Sequence, residues 1–168
     1  MCIRDRILGL NYWKQYGVDV RGLRFPGLIS WRAPAGGGTT DYAVDIFRAA
    51  VEYGHYECFV SEDTRLPMMY MDDAIKATER IMQADLESLG DSRTGYNIKG
   101  ISFTAGELAD KIAKRIPGFT CDFIPDFRQK VAESWPNDVD DQPARDDWGW
   151  KAEYDLGRMV DEMISNIT

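Results

Sequence analysis

Residues 18–25 mix β-branched and apolar side chains with charged ones and stop at Pro26-Gly27. That pattern predicts a strand ending where proline offers no N–H to extend a ladder. Residues 28–30 continue as an extended segment, followed by a loop over 33–40 that carries three successive glycines. Thr40 or Asp41 is placed to cap the next helix, whose apolar positions Val44, Phe47, Ala50 and Val51 fall at spacings of three and four. Short apolar runs over 56–60 and 66–71 read as strands. Asp72 is then expected to cap a helix through Ala74, Ile75, Thr78 and Met82, which ends in a loop around 90–95. Strands are expected over 96–98, 101–103 and 120–124. Thr104 with Glu107 has the spacing of a capping box for a helix running to Ile116, stopped by Pro117-Gly118. The acidic stretch 138–141 is expected to cap a short helix ending near Trp148-Gly149. Asp155 is expected to cap the last helix, with Leu156, Met159, Met163 and Ile167 on its inner face. Alternating strands and helices place the chain in the α/β class. The first strand is apolar enough for a parallel sheet, yet too few strands precede it to bury it.

Composition narrows the function classes. Twenty Lys and Arg face 28 Asp and Glu, a net charge of −8, and no basic cluster interleaves with aromatics. A surface of that sign repels phosphate backbones, so nucleic acid is not an expected partner. Cys2, Cys58 and Cys121 have no CxxC spacing, which reads as reduced thiols rather than a disulfide framework or a thiolate metal site. His55 is the only histidine, which disfavours multi-histidine metal sites and any triad needing a second histidine. No apolar run approaches the ~20 residues of a membrane span, and the charged start does not resemble a signal peptide. A cytoplasmic protein with no metal and no membrane partner is the expectation; a mitochondrial location applies if the source is eukaryotic, though no transit peptide is visible.

The candidate chemistry is sparse. The glycine triplet before Thr39 and Thr40 lets backbone approach a small ligand, with hydroxyls and a helix start suited to a carboxylate. A flexible turn with an ordinary cap explains the same residues. No Lys follows the last glycine where a P-loop requires it. Met68, Met69 and Met71 read as core or pocket lining. Asp126-Phe-Arg128 and Ser134-Trp-Pro136 lie on loops that either shape a pocket or simply pack. The sequence holds no GxGxxG and no Tyr-x-x-x-Lys, the arrangement in which lysine lowers a tyrosine pKa for base catalysis.

Longer strings carry a resemblance. Residues 16–30, the run Pro34-Ala-Gly-Gly-Gly-Thr-Thr-Asp-Tyr-Ala43, residues 61–74 and Pro125-Asp-Phe-Arg-Gln129 resemble the short-chain type of NAD-dependent L-threonine 3-dehydrogenase, as do Ser134-Trp-Pro136, Asp140-Asp141, Ala144-Arg145 and Asp147-Trp-Gly-Trp150. The similarity spans roughly residues 16–164. It implies the C-terminal portion of a Rossmann-type extended short-chain dehydrogenase, with the substrate-binding subdomain and without the N-terminal dinucleotide-binding half. Residues 1–15 are then an unmatched head with the remnant of a preceding helix, and 16–168 the last Rossmann strands plus the substrate subdomain. The resemblance implies NAD as cofactor, with Pro26 and Leu28 against its nicotinamide half. It implies L-threonine as substrate, received by Gly38, Thr39 and Thr40 and closed over by Trp135. No catalytic residue of the family falls within this chain, so an inactive fragment is the expectation. Family members are homodimeric, and the dimer helices are not matched here, which leaves an exposed strand edge prone to pairing. A nucleotide-sugar epimerase or dehydratase relative, using Arg65 and Arg128 for a diphosphate, is the alternative enzyme. A non-catalytic amino-acid-binding or regulatory module is the alternative outside catalysis.

Overall fold

The computed structural model describes residues 3–167. Cys2 lies outside that range. Helix α1 (Ile3–Tyr16) is followed by β1 (Leu23–Arg24), β2 (Gly27–Ile29), α2 (Tyr42–Glu52), β3 (His55–Cys58) and β4 (Arg65–Tyr70). Helix α3 (Met71–Gln83), two 3-10 turns (Leu86–Ser88 and Asp91–Thr94), β5 (Tyr96–Asn97), β6 (Ile101–Thr104), α4 (Ala105–Ala113) and β7 (Thr120–Phe123) come next. Helices α5 (Arg128–Glu133), α6 (Gln142–Trp148) and α7 (Leu156–Ile167) complete the described chain.

The expected α/β class is observed, in three small sheets. Strand β4 lies between β2, which runs parallel to it, and β6, which runs antiparallel. Strands β1 and β5 pair in parallel, as do β3 and β7. Successive side chains of a strand point to opposite faces, and β4 uses this to divide the interior. Leu66, Met68 and Tyr70 enter one apolar cluster with α2, α4 and α7, whereas Met69 enters a second with Ala74, Ala77, Ile81, Ile98 and Trp150. Of the methionines read as core or pocket lining, Met68 and Met69 are fully buried, and Met71 packs half-buried against the second cluster.

Several expectations need correction. The strand over 18–25 contracts to Leu23–Arg24. It is hydrogen-bonded along one side only, Gly22 N–H to Arg93 O and Tyr96 N–H to Gly22 O, and among the described residues no strand flanks the other edge of β1. Residues 18–21 are held instead by Arg21, whose guanidinium caps the end of α3 through the carbonyls of Ile81, Met82 and Ala84. Helix α3 is rotated from its expected face. Ile75 and Met82 are exposed, and Asp73, Ala74, Ala77 and Ile81 point inward. The cause is Asp73. Its carboxylate is buried and accepts the N–H groups of Glu153 and Tyr154 at 3.1 Å each, so neither it nor Asp72 caps the helix; the N-cap is Tyr70. Asp41 and Asp141 stand at the N-caps of α2 and α6 without a side-chain cap bond. Asp141 pairs with Arg145 one turn along, while Asp140 accepts the N–H of Gln142.

Other local expectations match. Thr104 accepts from Glu107 N–H at 3.0 Å and Glu107 accepts from Thr104 N–H at 2.8 Å, closing the capping box of α4. That helix stops at Ala113 rather than Ile116. We expect Thr104→Ala to remove about 1 kcal/mol of stability, readable as a lower urea midpoint with unchanged slope; an unchanged midpoint would mean the box contributes nothing. Asp155 caps α7 through Arg158 N–H at 2.8 Å. Cys58 and Cys121 are free thiols, pushed by burial up to about 11 and about 12 respectively, so neither is an activated nucleophile. No helix among the described residues is long and apolar enough to cross a membrane.

Candidate functional site

The turn after β1 and the glycine loop, distant in sequence by about a dozen residues, meet in space. Gly27 pairs with Met68 in the β2–β4 ladder. A Cβ built on Gly27 would lie 2.5 Å from Met68 Sδ and 2.9 Å from Thr40 Cγ2. Only hydrogen fits at that point, because Met68 beneath is fully buried and Thr40 closes in from the loop. The residues expected to face a cofactor (Pro26, Leu28) and those expected to face a substrate (Gly38, Thr39, Thr40) thus border one another across a single glycine. Leu28, next along β2, is 38% exposed. Its apolar side chain is open to solvent.

The loop itself is more ordered than three glycines suggest. Gly36 N–H and Gly38 N–H both donate to Asp41 Oδ2 at 2.7 Å. The side chain expected as a possible helix cap therefore points back into the loop. The first-turn N–H groups of α2 are met by backbone: Ala43 donates to Thr40 O, and Val44 to Asp41 O. The donors that suggested a carboxylate site are thus partly taken by the chain itself.

Trp135 is not part of the Gly27–Thr40 contact. It lies two residues past α5 with its side chain 42% exposed, on a strap tied down at both ends. At one end, Gln129 Oε1 accepts from Ser61 N–H and Thr64 Oγ1, and Arg128 pairs with Asp126 while its guanidinium sits 3.2 Å from the centroid of the Phe59 ring. The Arg128 partner holds the Asp126 carboxyl below the usual carboxylate range. At the other end, Ser102 Oγ donates to Asn137 O and Lys99 pairs with Asp138. Ser102 stands opposite Pro67 on β4, adjacent to the Met68 that supports Gly27. The strap is therefore anchored two strands from β2, on the order of 10 Å at ordinary strand spacing.

Arg65 and Arg128, the cations a diphosphate would need, are both committed. Arg65 donates to Ser102 O and Glu107, and Arg128 is held by Asp126 and Phe59. Sequence reasoning missed Asp41 as a loop organiser and Met68 as the support of Gly27. Nothing local signals either: an Asx turn accepts from backbone two residues after the Asp, whereas Asp41 accepts from glycines three and five residues before it.

A "GalE-like L-Threonine dehydrogenase" of Cupriavidus necator, solved in its apo form, is 51% identical and superposes with a TM-score of 0.93 over 97% of this chain and 58% of its own. Over nearly its whole length the chain is similar in sequence and fold to GalE-like L-threonine dehydrogenases, of which it covers about half. The mitochondrial L-threonine 3-dehydrogenase of Bos taurus is 47% identical over 164 residues, 97% of this chain and 43% of the bovine protein. An uncharacterized epimerase/dehydratase of Staphylococcus haemolyticus is 45% identical over 98% of this chain and 52% of its own. No protein-family profile matches the chain. The chain spans about half the length of the curated relatives it matches. Helix α1 (Ile3–Tyr16) is tied to the body of the fold. It packs on the rest through Trp13, whose ring lies 3.6 Å from the buried Arg93 guanidinium.

Proposed function

We propose that this chain supplies the substrate side of an NAD-dependent L-threonine 3-dehydrogenase. The observation that carries the reading is the Gly27–Thr40 contact over Met68, which sets an exposed apolar residue, Leu28, beside a hydroxyl-bearing loop. In that reading Pro26 and Leu28 form the face against which a nicotinamide ring lies. Gly38, Thr39 and Thr40 meet the amino-acid head, and Trp135 on its anchored strap covers it. Pro26 and Leu28 would hold the nicotinamide end of NAD, which would supply a hydride acceptor for C3 of threonine, the overall products being 2-amino-3-oxobutanoate, NADH and a proton. The 3-hydroxyl proton needs a base, and neither a Tyr-x-x-x-Lys pair nor a dinucleotide loop is found in these 168 residues. The chain's own part is to orient and enclose. The exposed Val18 and Phe25 on either side of β1 are where the remaining half of the longer relatives would pack.

The diphosphate-binding alternative is disfavoured because Arg65 and Arg128 are already paired. We expect the purified 168-residue polypeptide to form no NADH from L-threonine and NAD above a threonine-free control. Threonine-dependent NADH fluorescence would overturn the assignment of base and dinucleotide loop to residues beyond this set.

A further inference from the structure

The donors that make the glycine loop attractive to an anion already face one. Gly36 N–H and Gly38 N–H converge on Asp41 Oδ2, 2.7 Å from each. Asp41 N–H returns a bond to Gly38 O at 3.2 Å, closing a ring. Gly37, between the two donors, sits at φ +96° with nothing within 4 Å of where a Cβ would be. Backbone conformation, not crowding, requires glycine there. Convergent N–H groups around such a residue form the concave donor array in which anions are bound. Here the occupant is a carboxylate of the chain.

We propose that Asp41 is the built-in anion of this loop, a positioning residue that holds Thr39 and Thr40 against Gly27 and closes the loop to carboxylates from solution. The inference rests on the reading of this loop as substrate-facing and changes one part of it. The amino-acid head meets the loop through the threonine hydroxyls, and its carboxylate is excluded from the donor array. Bonds from N–H to an ionised acceptor are stronger than neutral ones, so an incoming carboxylate has to displace a covalently tethered competitor. Local charge acts in the same sense. Asp45, one turn along α2, is raised by burial and then by the neighbouring Asp41, with Arg128 and Arg48 opposing. Both of those cations are engaged elsewhere, Arg48 at Trp31 O and Arg128 at Asp126.

The test is amide and methyl NMR on the 168-residue chain with sodium acetate as probe. In the wild type, acetate is expected to leave the Gly36 and Gly38 amides without a saturable shift. In Asp41→Ala those amides should exchange at least about tenfold faster. The proximity signal between the Thr40 methyl and Gly27 should weaken. Acetate should then bind saturably, and both properties should return. Asp41→Asn, which keeps an acceptor oxygen, should retain protection and refuse acetate. Saturable acetate binding by the wild-type loop, unchanged exchange in Asp41→Ala, or accelerated exchange without acetate rescue would each overturn the proposal. Amides of β4 report whether Asp41→Ala keeps its fold; if it does not, Asp41→Asn decides, and an unprotected or acetate-binding loop in that variant counts against the proposal. Because the probe is acetate, a chain that binds no threonine leaves this test intact.

Discussion

Asp73→Ala is expected to cost about 3 kcal/mol of stability. Asp73 is 1% exposed and its carboxylate accepts the backbone N–H groups of Glu153 and Tyr154. Alanine leaves two donors facing a space with no acceptor, at about 1–3 kcal/mol for each buried group left unsatisfied. For a chain of this size that is a fall in melting temperature of roughly 10 °C. The effect should propagate, because residues 153–154 lead into α7, whose Met159, Val160 and Met163 complete the larger apolar cluster. Asp73→Asn keeps one acceptor oxygen and is expected to lose about half as much. Thermal unfolding of the two variants decides: an Asp73→Ala melting temperature within roughly 2 °C of the wild type would mean that the carboxylate is not the tie between α3 and the 153–154 segment.

Gly27→Ala carries the second large effect, on the site as much as on stability. The new methyl would lie 2.5 Å from Met68 Sδ and 2.9 Å from Thr40 Cγ2. Met68 is fully buried and bounded by β2 and β6 on either side of its strand. The thioether is adaptable, but relief through it alone still leaves the clash with Thr40. Overpacking of this kind costs about 1–3 kcal/mol, and the strain is relieved by moving the 33–40 loop away from β2. Thr40→Ser removes the clashing γ-methyl, so the double variant Gly27→Ala/Thr40→Ser should recover part of the loss. A double-mutant cycle in urea should show coupling of at least about 0.5 kcal/mol. Strict additivity would mean that Gly27 and Thr40 do not touch.

The local grammar of the chain was legible where it depends on neighbours in sequence. Thr104 and Glu107 announce a capping box that forms. The three-and-four spacing of Val44, Phe47 and Ala50 announces the buried face of α2. Asp155 announces the start of α7. The errors arise where side chains or strand edges depend on partners outside their own segment. Asp73 has the look of a cap but serves a segment 80 residues away, and in doing so turns α3 so that Ile75 and Met82 face solvent. Strand 18–25 has strand composition, but a ladder needs neighbours, and the described residues supply only β5 on one edge. At the site, the glycines and threonines were visible as residue types. Their organisation was not, because it rests on Asp41 turning back and on Met68 rising beneath Gly27. The family resemblance came from long ordered strings rather than from any reactive constellation, and the similarity to the Cupriavidus necator and Bos taurus proteins rests on the same breadth.

The central claim is that these 168 residues carry the threonine-facing side of the reaction. A chimera tests it most directly: the half of the Cupriavidus necator enzyme that this chain does not match, fused ahead of residues 3–167. The account predicts a cooperatively folding protein that forms NADH from L-threonine and loses most of that activity on Gly27→Ala. A chimera that melts cooperatively and binds NAD, yet forms no NADH with L-threonine, would contradict it.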